Sequence, residues 1–173
     1  YMIMAKPVGI TGAFSETASG NVSANATSTL SIMLTDATIQ LGNIATNASV
    51  DSSAGADHFV LENDGNTVAD VEVNATKPFT SATTCLTMPC TFYQVQTSDT
   101  NAACKTGDNA TKTAMFNMPA GTPGMLINGF NYVDLSDTAQ IDVKLTIPGD
   151  EPPGGKSSIV TFWAKADSTY TCG

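Results

Sequence analysis

The chain contains no arginine, and its 173 residues include one histidine, one tryptophan and a charged fraction of only 13%. Seven lysines stand against sixteen acidic residues, for a net charge of −9. Nucleic-acid and phosphate recognition rest on clustered basic side chains, so this composition speaks against both. A single imidazole, His58, is all that a Ser–His or Cys–His scheme has to draw on. No G-x-S-x-G turn is present to place a nucleophile. Long apolar runs are missing too. None approaches the roughly 20 residues that a helix needs to cross a bilayer, so no membrane span is expected. No helical period of useful length appears either.

What is abundant is threonine. Ser and Thr fill 39 of 173 positions, 25 of them Thr. Thr is β-branched and suits a pleated surface, so a Thr-covered, charge-poor exterior points to sheets outside the cytosol. Apolar–polar alternation, the strand signal, recurs along the chain. Leu30, Ile32 and Leu34 alternate, and Thr38–Leu41 continues after a turn at Asp36. His58–Glu62 leads into Asn63-Asp64-Gly65-Asn66, whose Asp-Gly pair predicts a hairpin, with Ala69, Val71 and Val73 on the returning strand. Thr91–Gln96 forms a further strand inside a cysteine-rich excursion spanning 78–120. Gln140–Ile147 and Ser158–Lys165 alternate most clearly, separated by a Pro152-Pro153 break that no ladder tolerates. The expected fold is all-β, an antiparallel Ig-like or jelly-roll sandwich over residues 22–173, preceded by an arm and joint at 1–21.

Four cysteines fit an oxidising compartment. A local Cys85–Cys90 bond with a Cys104–Cys172 tie is the favoured pairing of the three possible. With one His and no C-x-x-C, a zinc site is disfavoured. Sequons stand at Asn21, Asn25, Asn47, Asn74 and Asn109, and glycans are expected on exposed ones. The first residue is Tyr, which reads as a mature chain whose leader has been removed.

Candidate chemistry is sparse, and no cofactor, metal or catalytic set is assigned. His58 reads as a satisfied sheet residue. The stretch Glu62–Asn66 offers oxygen ligands, but Val73 stands where a calcium loop needs its twelfth-position Glu. Asp150-Glu151 reads as a solvated loop, and Trp163 as a core side chain rather than a sugar platform.

The opening Tyr1-Met2-Ile3-Met4-Ala5-Lys6-Pro7-Val8-Gly9-Ile10 is an apolar, extended-looking arm followed by Gly and Ser/Thr. Such an arm is a liability in water but suits strand addition to a neighbour, with Ile3, Val8 and Ile10 among its anchors. Ala13–Asn21 with the Thr-rich strand at Leu30, Phe59–Val71, and Pro148–Phe162 resemble segments of TasA/camelysin-type biofilm-fibre proteins and archaeal bundling-pilus subunits. That resemblance implies a subunit that polymerises by lending its N-terminal strand to the next copy. The expected function is therefore a structural subunit of an extracellular filament for adhesion or biofilm matrix, a head-to-tail homopolymer with possible glycans. The alternative is a secreted Ig-like binding module of an envelope or surface-layer protein.

Overall fold

The computed structural model describes residues 24–80, 82–98 and 112–167. The N-terminal arm with Ile3, Val8 and Ile10, the sequons Asn21 and Asn109, and Cys104 and Cys172 lie outside these residues.

Within them the fold is all-β: two antiparallel sheets share one apolar core. The first sheet is ordered β1 (Met33–Asp36), β3 (Phe59–Glu62), β8 (Thr138–Thr146), β5 (Tyr93–Thr97) and β6 (Phe116–Asn117), with β2 (Ser49–Asp51) also paired to β8. The second is ordered β7 (Gly124–Phe130), β4 (Ala69–Ala75) and β9 (Val160–Ala166). Period-two alternation explains the central strands. Ala139, Ile141, Val143 and Leu145 of β8 turn one buried row toward the second sheet, and Ala69, Val71, Val73 and Ala75 of β4 answer it. Leu61, Val95, Ile127 and Phe130 fill the space between them.

Several expectations need correction. The Asp64-Gly65 turn is present, but β3 and β4 do not pair; they belong to different sheets. Buried Asn63 forces the crossing: its Nδ2 donates to the carbonyls of Thr67 and Phe130, at 3.0 and 3.1 Å, while its Oδ1 accepts from Gly65 N–H. Residues 38–41 form no strand. They run as a loop from the Asp36 turn, with Ile39 and Leu41 leaning on the core. Strands β2, β6 and β7 have no counterpart in the sequence reading.

On its outer side β8 carries Asp142, a buried carboxylate. The pairing of β8 passes from β3 at 138–141 to β2 at 144–146. Between those two stretches residues 52–58 bulge outward, with a short 3-10 turn at Ser52–Gly55, and cover the acid. Asp142 Oδ1 receives His58 Nδ1 at 2.5 Å and Ser52 Oγ at 3.3 Å, and Gln96 Nε2 donates to Oδ2 at 3.4 Å. Ser52 Oγ in turn accepts from Val143 N–H at 3.0 Å.

Candidate functional site

The two sheets differ in width. The first is five strands across, the second three. Strand β9 stands over β3, where Phe162 and Phe59 meet edge to face with centroids 5.8 Å apart. Beyond β3 lies β1, and among the described residues no strand of the second sheet covers it.

Both strands show the consequence in their side chains. Leu34 is opposite buried Leu61, and Ile32 of the lead-in packs against the core, so these two side chains form the row that turns inward, with Leu30 further back along the lead-in. Yet Leu30 and Leu34 keep 40% and 36% of their surface exposed, and Ile32 is half-buried. On β9, Val160, Phe162 and Ala164 lie opposite Ala75, Val73 and Val71. Those β4 partners are buried, whereas the β9 row is only half-buried. Two apolar rows thus flank a hollow of about 260 Å³, lined by Ile32, Leu34, Leu61, Val160, Thr161 and Phe162. Among the described strands β9 pairs only with β4, so its outer edge offers N–H and C=O groups without ladder partners.

At Val160 the hollow meets a larger cavity of about 930 Å³ at the end of the sandwich. Its floor includes Phe59, Tyr93 and Leu145, and its walls are the loops 39–46 and 151–158. The second wall is held by carboxylates: Asp150 is exposed, as a solvated loop requires, but Glu151 is buried, which corrects that reading for Glu151. Glu151 is buried and accepts from Thr80 N–H, Thr80 Oγ and Ala82 N–H at 3.0, 3.0 and 2.8 Å, with Lys156 Nζ 2.6 Å away. Asp150 accepts from the side chains and backbone N–H groups of Thr83 and Thr84. The loop is thereby clamped to the segment leading into the Cys85–Cys90 disulfide.

The hydroxyls of Thr83 and then Thr84, with their backbone N–H groups, hold the Asp150 carboxyl well below its ordinary value of 3.8. A carboxyl depressed on folding adds stability above its unfolded pKa and loses it as pH falls through the folded one. The melting-temperature difference between the protein and Asp150→Ala should therefore be full at neutral pH. It should shrink only once pH drops below about 3.8, closing at still more acid values. A difference that vanishes between pH 7 and 5 would contradict this assignment.

Other sequence candidates fall into place around the groove. His58 and Ser52 bond to the same carboxylate oxygen of Asp142, so the hydroxyl proton points to the acid and not to the imidazole. That is not the order of contacts that activates a serine. The described residues hold no cluster of three or more His, Cys, Asp or Glu side chains able to grip a metal. Trp163 corrects the core expectation: Phe162 takes the inward position opposite Val73, and Trp163 faces out, 49% exposed, opposite Glu72. Asn25 and Asn47 are exposed, while Asn74 is half-buried and donates to Gly121 O at 3.0 Å. No helix among the described residues is long and apolar enough to cross a membrane.

The alternating rows of β1 and β9 are visible in the sequence; the lack of cover over them is not. No protein-family model matches the chain, and no curated protein or solved structure matches it.

Proposed function

We propose that this protein is the repeating subunit of an extracellular filament, an Ig-like or jelly-roll sandwich one strand short, completed by the N-terminal arm of a neighbouring copy. The observation that carries the reading is the pair of apolar rows on β1 and β9, half-covered among the described residues, beside a β9 edge that no described strand pairs. A strand added along β9 would lie over β1, bury both rows and satisfy the free ladder groups. The seven residues of β9 span roughly 23 Å, within the reach of an eleven-residue arm.

The arm at 1–11 has matching chemistry. Val8 and Ile10 share one face of an extended strand, and by parity Lys6, Met4 and Met2 continue it, the Lys6 stem able to lie along the groove with its ammonium in water. Ile3 lies on the other face and reaches the groove only through a one-residue offset. Pro7, which has no N–H to offer a ladder, is a natural place for it. A contact in which each copy lends a strand to the next does not close, so it builds a fibre. The disulfide and the exposed sequons at Asn25 and Asn47 accord with an extracellular setting.

Deleting residues 1–11 should leave a folded body that no longer polymerises, and adding the arm back as a free peptide should raise the melting temperature of that body. Electron microscopy and thermal unfolding read the two outcomes. Filaments formed by the truncated chain would sink the proposal. The binding-module alternative draws its support from exposed Trp163, beside the Glu72–Lys165 ion pair of 2.6 Å on the open face of the second sheet. A full-length chain that stays monomeric, with tryptophan fluorescence quenched by an oligosaccharide, would favour it instead.

A further inference from the structure

Two ends of the sandwich can be told apart. At one end the chain passes from the arm into the body beside the β3–β4 corner. There Asn66 Nδ2 donates to Thr27 O at 2.9 Å, Asn66 N–H donates to Thr29 O at 3.0 Å, and Thr29 N–H donates to Asn66 Oδ1 at 2.6 Å. Ala166, the last residue of β9, pairs with Ala69 at this same end. At the other end Val160, the first residue of β9, pairs with Ala75, and there the 930 Å³ cavity opens. The arm thus departs from the end of the body opposite to the mouth of the groove.

A head-to-tail contact that repeats along an axis sets the departure end of one copy against the mouth of the next. From this we infer that the donor enters through the mouth, runs antiparallel to β9, and seats Phe14 in the cavity. The inference rests on the donor-strand reading and adds to it a direction and an anchor. The residues nearest the donor's own body lie at the mouth, and Tyr1 lies at the far end, near Leu30 and Ala166. Antiparallel pairing also gives the more stable ladder per residue. Phe14 is the one aromatic residue between Tyr1 and Phe59. The cavity floor offers Phe59, Tyr93 and Leu145 to such a ring, whereas β9 itself presents a narrower hollow suited to aliphatic side chains. Residues 15–23 then bridge the two bodies, with a reach of roughly 30 Å.

A photoreactive phenylalanine analogue, placed at position 14 or at position 1 of the full-length chain, tests this directly. After irradiation of assembled material, cross-linked peptides are mapped by mass spectrometry. Position 14 should link to residues 39–46 or 151–158 of another copy, and position 1 to the region of Leu30 and Ala166. The reverse pattern would overturn the direction while leaving strand donation intact. Filaments with no cross-link to either region would overturn strand donation itself, and links confined within one copy would do the same. In parallel, Phe14→Ala should raise the concentration needed for assembly about ten-fold or more, and Phe14→Leu much less. Melting of the unassembled body should be unchanged in both. An unchanged assembly threshold for Phe14→Ala would remove Phe14 as the anchor.

Discussion

Replacing Asp142 by alanine is expected to lower the unfolding free energy by about 3–5 kcal/mol, the usual cost of removing one partner from a buried charged cluster. The side chain is fully buried and accepts from three groups, Ser52 Oγ, His58 Nδ1 and Gln96 Nε2. Ser52 is buried with the carboxylate and loses its acceptor outright, while His58 and Gln96 are half-buried and can turn only partly to water. The carboxylate also fixes the path of residues 52–58, where the partner of β8 changes from β2 to β3. In a protein of this size the melting midpoint should fall by roughly 6–20 °C. Ser52→Ala removes one donor and the acceptor of Val143 N–H, and should cost about 1–3 kcal/mol. Thermal or urea unfolding that finds Asp142→Ala within about 1 kcal/mol of the parent, close to the effect of an ordinary surface substitution, would show that the cluster does not hold this edge together.

Glu151→Ala should be comparably severe, at about 3–5 kcal/mol, but its damage should be local. Glu151 holds Thr80 and Ala82 through their N–H groups and Thr80 through its hydroxyl, and it neutralises Lys156, which is itself only 12% exposed. Without it, Lys156 loses its counter-charge and the 151–158 wall loses its tie to the threonine segment. Hydrogen exchange should accelerate at 80–84 and 151–158, with β8 and β4 losing less protection. Glu151→Gln keeps an acceptor for the threonine segment but not the charge, and should fall between the two. Uniform acceleration across both sheets would show that the loop is part of the global fold and not a separable latch.

How much of this was legible in the sequence depends on which physical signal each element left. Strands β4, β8 and β9 alternate cleanly because each has one face on the core and one face away from it. β7 left no such mark. Leu126 to Phe130 is buried throughout, and its pairing with β4 shifts register twice, so its pattern has no period of two. The Asp64-Gly65 signal is local and reports only that the chain turns. Whether it returns to its own sheet is decided by Asn63, whose partners include Phe130, 67 residues away. Alternation likewise states that Phe162 and Trp163 face opposite ways, and only the register with buried Val73 says which is inside. The Asp142 cluster joins positions 84 and 90 residues apart, beyond any window of sequence reading. The groove combines both cases: its two apolar rows are written in the chain, and their incomplete cover emerges only from the unequal widths of the sheets.

The position of β8 in the first sheet has a kinetic consequence. It is the strand that β2, β3 and β5 all pair with, and it stands at 138–146. Likewise β4 must wait for β7 and β9. During synthesis, β1 to β3 therefore emerge on the order of ten seconds before the strand that organises them. Pairings so distant in sequence also place the domain among slow, milliseconds-to-seconds folders. Throughout that interval the nascent chain carries unpaired edges and apolar rows that can capture a neighbour, so escort by a holding factor would suit its biogenesis.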